Sequence, residues 1–157
     1  MRGRQEAGAR LMEEAAMDMA TMIDRLLIND LFVRYTRALD GGDVEGIVGC
    51  FTEEGSLESP AVGAYRGRDG VREFARRFAR FHEEGAQLRH VISNLAVEIA
   101  GERARATCYL LNVITQNGQS RLLAPGHYEC DLVKQGGAWL FERRLVILDH
   151  AVTLEGV

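Results

Sequence analysis

The segment YTRALDGGDVEGIVGCF, residues 35–51, decides the fold because it ends one helix and begins another. Apolar residues at helical spacing continue up to Asp40, and two glycines then interrupt the pattern. Asp43 stands where a side chain can cap the next helix, which leaves Asp40 free for another role. We therefore predict a short second helix over residues 43–51 and treat Asp40 as a candidate functional residue.

Upstream of this segment, residues 12–39 have the pattern of one long amphipathic helix. Its apolar row recurs every four residues, is widened by Phe32, and consists of Met19, Ile23, Leu27, Leu31, Tyr35 and Leu39. Residues 1–17 are rich in alanine and glutamate and contain few large apolar side chains. We predict that they form an N-terminal extension and that residues 18–157 form the folded domain.

Downstream, the pattern predicts an edge hairpin over residues 55–66 and a third helix over about 69–83. The period then changes to that of strands, over residues 88–100, 103–116, 122–134 and 139–152, with glycine-containing turns between them. Helices followed by four long antiparallel strands are typical of an α+β fold. We expect a cone-shaped α+β barrel, in which the N-terminal helices pack in a curved antiparallel sheet that encloses a pocket.

Composition excludes several classes of function. The 157 residues carry a net charge of −4 and no basic run interleaved with aromatic residues, which argues against nucleic-acid binding. No stretch of about 18 apolar residues is present to span a membrane. Three widely spaced cysteines in apolar surroundings are typical of reduced core thiols in a cytoplasmic protein. The histidines lack metal-ligand spacing and no phosphate-binding glycine loop occurs, so we expect neither a metal nor a cofactor.

Two of the predicted strands carry polar residues that could face the pocket. Strict alternation along residues 88–100 puts His90 and Asn94 on one face, which could line the pocket. The alternative interpretation of His90 is a structural histidine that is hydrogen-bonded within the core. In the last strand, alternation puts Arg143 and Arg144 on opposite faces, with Arg144 opposite to Phe141. Only one of the two arginines can therefore enter a cavity.

Six short motifs occur in a characteristic order: RY at residues 34–35, ALDxGD at 38–43, Phe51, RHxxxN at 89–94, GxY at 126–128 and GxWxF at 137–141. With them, the chain from about residue 22 to residue 149 resembles the SnoaL-like branch of the nuclear-transport-factor-two-like superfamily. The resemblance implies the cone-shaped α+β barrel of that superfamily. It is less specific for a reaction, because this fold hosts many.

Among the relatives, scytalone dehydratase and hexachlorocyclohexane dehydrochlorinase use an aspartate at the end of the first helix to orient a histidine that abstracts a proton. The matching positions here are Asp40 and His90, and an arginine of the dehydrochlorinase falls on Arg144. The lysine of the dehydrochlorinase falls on Tyr35, so a different substrate and leaving group are expected. Related polyketide cyclases and ketosteroid isomerases use carboxylates directly, which leaves Asp40 as an alternative base.

The resemblance thus implies a lyase or isomerase that takes a small, apolar, cyclic ligand without a cofactor, with Asp40, His90, Tyr35 and Arg144 as its site residues. The alternative is a non-catalytic protein, either a ligand-binding module or a structural subunit like the β subunit of ring-hydroxylating dioxygenases. We also expect a homo-oligomer, a dimer or alternatively a trimer, because the long strands carry apolar residues on their outer faces.

Overall fold

The computed structural model describes residues 19–151, and the predicted extension 1–17 lies outside this range. The chain begins with helices α1 (Met19–Gly41) and α2 (Val44–Val48), followed by strands β1 (Phe51–Ser59) and β2 (Gly63–Arg66) and helix α3 (Gly67–Glu83). Four long strands complete it: β3 (Gln87–Ala100), β4 (Arg103–Gln116), β5 (Gln119–Gln135) and β6 (Ala138–Leu148). These bounds lie close to the predicted ones for the third helix and for β3 to β5, whereas β6 ends at Leu148 rather than at residue 152.

The strands form one curved sheet in the order β2-β1-β6-β5-β4-β3. The α+β class is confirmed, but the sheet differs from the expected one in two ways. It is open among the described residues, with β2 and β3 as edges, and β1 pairs parallel with β6. The parallel pair arises because α3 takes the chain to the far edge, where β3 runs antiparallel to β1. Each later strand reverses direction, so β6 arrives beside β1 in the same direction.

The buried stripe of α1 differs from the predicted apolar row in the first half of the helix. Met19, Ile23 and Leu27 are exposed, whereas the predicted residues from Leu31 onward are buried. A row spaced strictly by four residues rotates by about 40° at each step around a helix of 3.6 residues per turn. The row therefore leaves the core, and the described residues that replace it on the buried side include Asp24 and Ile28.

The junction of α1 and α2 separates the two aspartates as predicted. The Gly46 backbone N–H donates to Asp43 Oδ1 at 2.9 Å, which makes Asp43 the cap of α2. Gly42 adopts a φ of 68°, a left-handed conformation that glycine tolerates best. The second helix is shorter than predicted, because Phe51 already begins β1. Asp40, in the last turn of α1, is left to reach toward β3.

A bulge in β3 overturns the predicted alternation of that strand. Its pairing with β4 shifts register between Ser93 and Ala96, where Asn94 has a φ of 55°. His90 is buried before the bulge, but the inward residues after it are odd-numbered, beginning with Leu95. Asn94 is exposed, so the prediction that it shares the cavity face with His90 is wrong. The extra residue of the bulge moves every later side chain to the other face.

A second bulge changes the alternation in β6. Phe141 pairs with Leu132 and Arg143 with Asp131, which leaves Glu142 as the extra residue. Arg144 therefore lies on the same inward side as Phe141, contrary to the prediction that they are on opposite faces. Arg143 does lie opposite to Arg144 as predicted, and its Nε donates to Asp131 Oδ2 at 2.8 Å.

All three cysteines lie in the core. Cys50, Cys108 and Cys130 are free and buried, and burial raises the pKa of each thiol, that of Cys130 to about 12. They are thus core thiols that stay protonated near neutrality.

Within residues 19–151, no helix combines the length and the apolar character that crossing a membrane requires.

Asp24, a buried residue of α1, connects this helix to the sheet through hydrogen bonds. Its Oδ1 accepts hydrogen bonds from Lys134 Nζ at 2.7 Å and from Trp139 Nε1 at 2.9 Å. The hydrogen bond from Lys134, followed by that from Trp139, lowers the pKa of Asp24 below its usual value, against the opposing effect of burial. Sequence periodicity could not show this contact, because its partners are 110 and 115 residues away.

Replacing Asp24 with asparagine is expected to lower the melting temperature by several degrees at neutral pH. Because the folded-state pKa of Asp24 is lowered, its contribution to stability is complete above the ordinary aspartate pKa of about 3.9 and is lost as the pH falls through the folded-state value. Thermal unfolding from pH 7 down to below pH 4 should therefore show the difference closing. Asp30→Asn, on the exposed side of α1, is the control. A difference that is the same at all pH values would contradict this account.

Candidate active site

A small, partly open pocket lies between the helices and the sheet, with a cavity volume of about 50 Å³. Ten of the fifteen residues that line it are apolar. The five polar ones come from α1, the end of β1 and strands β3 to β5, and are Tyr35, Ser59, His90, Asn112 and Tyr128. An apolar cavity with a few convergent polar groups is the usual form of a small-molecule site.

The pair predicted from the resemblance is present at the wall of this pocket. Asp40 Oδ1 lies 2.6 Å from His90 Nδ1, although the residues are 50 positions apart. The same carboxylate accepts the backbone N–H of His90, with both oxygens 3.1 Å from the nitrogen. Asp40 thus fixes both the strand and the ring of His90. Because a carboxylate can only accept, Nδ1 carries the proton and Nε2 of the neutral ring is left as an acceptor.

Asn112 completes the surroundings of the imidazole from the neighbouring strand. It pairs directly with His90 in the β3–β4 ladder, and its Nδ2 lies 3.2 Å from His90 Nε2. The amide therefore donates to the acceptor nitrogen that the contact with Asp40 creates. Sequence reasoning missed Asn112, although a signal existed. It is the one strongly polar side chain among the buried positions of β4, between Leu110 and Ile114.

Arg144 lies behind the pocket rather than in its lining. The side chain is 0% exposed, and its guanidinium carbon lies 3.7 Å from the ring centroid of Tyr128 and 4.0 Å from that of Tyr35. Both tyrosines line the pocket, so they separate the cation from its interior. Burial raises the pKa of both phenols, that of Tyr128 to about 12, against the opposing effect of the Arg144 charge. Both tyrosines are therefore neutral in the physiological range.

No carboxylate among residues 19–151 pairs with the charge of Arg144. Its Nη1 contacts Cys130 Sγ at 3.6 Å, while Nε and Nη2 have no hydrogen-bond partner in the described part of the chain. Aromatic faces attract a desolvated cation, but they do not neutralise it. A guanidinium remains charged inside a protein, so this arrangement places a fixed positive charge beneath the two tyrosines.

The four predicted site residues thus occupy different positions. His90 and Tyr35 line the pocket, Asp40 lies behind His90, and Arg144 lies behind Tyr35. Within residues 19–151, no three His, Cys, Asp or Glu side chains are close enough together to hold a metal ion. The chemistry available from these side chains is an imidazole oriented by a carboxylate, together with a buried cation that favours negative charge nearby.

The comparisons with known proteins agree with this architecture. Residues 20–145 match the SnoaL-like domain family, and the chain belongs to that family. A variant of a Mycobacterium tuberculosis protein of unknown function is 30% identical, with a TM-score of 0.74 over 83% of this chain and 79% of its own. ActVI-ORFA from Streptomyces coelicolor is 25% identical, with a TM-score of 0.72 over 81% and 98% of the two chains.

A protein from Novosphingobium aromaticivorans that carries the provisional name scytalone dehydratase has a TM-score of 0.76. It is 18% identical over 90% of this chain and 99% of its own, so this likeness concerns the fold alone. Other similar structures are described as having the nuclear-transport-factor-two-like, or cystatin-like, fold. No curated protein matches the chain.

Proposed function

We propose that this protein is a cofactor-independent lyase or isomerase that abstracts a proton from a small, apolar, cyclic molecule. The observation that carries the proposal is the 2.6 Å contact between Asp40 and His90 Nδ1 at the wall of an apolar pocket. In the proposed step, the substrate C–H bond breaks and its proton passes to His90 Nε2. Asp40 keeps the ring in the required tautomer and stabilises the imidazolium that forms.

The electron pair of the broken C–H bond is delocalised into a group of the substrate that can accept negative charge, such as an adjacent carbonyl. We propose that Tyr35, with Arg144 behind it, stabilises this charge, since a buried cation favours an anion in a medium of low dielectric constant. General-base catalysis contributes about 10²–10⁴-fold. The substrate must therefore already have an acidic C–H bond.

Exchange of carbon-bound hydrogen for deuterium tests the proposal without knowledge of the natural substrate. Cyclic ketones such as 2-tetralone have an acidic C–H next to a carbonyl, and NMR spectroscopy in D₂O measures the loss of that proton. The protein is expected to accelerate exchange over buffer for at least one ketone of such a set. Rates equal to those in buffer across the whole set would contradict the proposal.

A second candidate function is ligand binding without turnover. One observation favours it: the Asn112 amide already occupies His90 Nε2, the nitrogen that would accept a proton. A substrate must displace that hydrogen bond before His90 can act. Ligands that bind with measurable affinity but never exchange hydrogen would support this function. A purely structural subunit, like the dioxygenase β subunit, is less well supported because the interior encloses a pocket.

We propose that the protein is located in the cytoplasm, where its three free thiols would stay reduced.

We further propose that two copies associate through the outer face of the sheet. Val91, Tyr109, Leu111 and Leu122 are exposed on β3 to β5, and Val91 pairs directly with Leu111. Large apolar side chains grouped on one face commonly mark an interface between proteins.

Light scattering at micromolar concentration is expected to give the mass of a dimer, with a trimer as the alternative. Leu111→Lys should shift the protein toward the monomer, because it puts a charge into the apolar face. Ala100→Lys, at the exposed far end of β3, should not. A monomer whose mass does not change with concentration would contradict the proposed association.

A further inference from the structure

The amide of Asn112 is satisfied at one end only. Its Nδ2 contacts His90, but its Oδ1 is fully covered and has no hydrogen-bond partner among the described residues. The whole side chain is 7% exposed and belongs to the pocket lining. Buried side-chain acceptors in native proteins nearly always have a donor, so an unpaired one calls for an explanation.

The contact between Asp40 and His90 dictates which end of the amide is left over. Asp40 can only accept, so it accepts a hydrogen bond from the Nδ1–H of His90 and leaves Nε2 of the neutral ring as an acceptor. Only the NH₂ end of Asn112 can face that nitrogen. The carbonyl oxygen must then point elsewhere for as long as His90 is in the neutral form that a base requires.

The neighbouring strands offer this oxygen no donor. Asn112 has His90 as its direct partner on β3 and Ala124 as its direct partner on β5. Two residues earlier on the same face of β4 is Leu110, and all of these residues line the pocket. Asn112 thus belongs to the lining of a mainly apolar pocket, and a ligand that reaches its covered Oδ1 must displace the side chains around it.

We propose that Asn112 is a specificity-determining residue whose Oδ1 accepts a hydrogen bond from a hydroxyl group of the bound ligand. The ligand is then a small, mainly apolar molecule with one hydroxyl group. That hydroxyl lies close to the ligand atom that contacts His90. This inference deepens the proposed function because it concerns the same pocket. It requires binding alone, however, and not proton abstraction.

The proposal predicts discrimination between an alcohol and its methyl ether. The ether keeps the oxygen but has no proton to donate, so it leaves Asn112 Oδ1 unpaired within the complex. Suitable probes are matched pairs of increasing size, namely phenol with anisole, cyclohexanol with its methyl ether, and 2-naphthol with 2-methoxynaphthalene. Dissociation constants come from NMR titration of the full chain, with the resonances of pocket residues as the readout.

The wild-type protein is expected to bind the alcohol about tenfold more tightly than the ether in the pairs that fit. Asn112→Leu, which keeps the approximate size of the side chain and removes the acceptor, should abolish this preference. Asn112→Gln keeps both ends of the amide, the donor for His90 Nε2 and the acceptor oxygen, and should retain a preference for the alcohol. This second variant also serves if the leucine variant does not fold.

Three results would overturn the inference: no preference in the wild type, a preference that persists in Asn112→Leu, or no binding of any of the alcohols. Failure of the proposed base function is a separate outcome. That function is tested by deuterium exchange into ketones that have no hydroxyl group. A protein that selects alcohols but exchanges no hydrogen would keep the role of Asn112 and lose that of His90 as a base.

Discussion

His90→Gln is expected to reduce the rate of deuterium exchange, or of turnover of any substrate, by about 10²–10⁴-fold. Glutamine has approximately the reach of histidine and can contact Asp40 and Asn112, but its amide cannot accept a proton near neutral pH. The backbone N–H of residue 90 still donates to Asp40, so the strand remains anchored. The free energy of unfolding should change by no more than about 1–2 kcal/mol.

His127→Gln is the matched control, because His127 lies on β5 outside the pocket lining and its side chain is 35% exposed. It should leave the exchange rate unchanged. Asp40→Asn should lose most of the activity, since the ring then lacks the carboxylate that fixes its tautomer. A His90→Gln protein that retains full activity, or one that simply unfolds, would remove the main support for a catalytic pair.

Arg144→Met is expected to lower activity by about tenfold or more without lowering stability. A buried charge with no carboxylate partner carries a desolvation cost of several kcal/mol, which contacts with aromatic rings offset only in part. Methionine fills similar space with apolar atoms, so the free energy of unfolding should stay equal within about 1 kcal/mol or increase. Activity should fall because the positive charge beneath Tyr35 and Tyr128 is lost.

Arg143→Met is the control for this variant, since Arg143 is the adjacent residue on the opposite face and pairs with Asp131 there. It should leave activity unchanged. Chemical denaturation and the exchange assay, measured on both variants, separate the two effects. A strong loss of stability in Arg144→Met, with activity unchanged per folded molecule, would show that Arg144 has a purely structural role.

The contact between two distant side chains was the part of the site best predicted from the sequence. Periodicity showed where the first helix ends, and the capping position of Asp43 left Asp40 without a local role. The resemblance to known enzymes then indicated His90 as its partner. Asn112 could have been found in the same way, because a lone amide among the inward positions of β4 breaks an apolar pattern.

Other features could not be predicted, because they depend on how strands meet in space. A bulge adds one residue relative to the partner strand, so Asn94 and Arg144 moved to faces that simple alternation does not give them. The position of Arg144 between Tyr35 and Tyr128 joins β6 to α1 and β5. No local pattern in the sequence indicates such a contact.

The central claim is that Asp40 holds His90 with its proton on Nδ1, and that Nε2 carries no proton and accepts the hydrogen bond of the Asn112 amide at the pocket wall. The ¹⁵N NMR spectrum of the histidine side chains measures this directly, above about pH 8, where an ordinary imidazole is neutral. The account predicts a protonated Nδ1 and an unprotonated Nε2 for His90, and a loss of this fixed tautomer in Asp40→Asn. A proton on Nε2 in the wild-type protein would contradict it, because that nitrogen could then not act as the base.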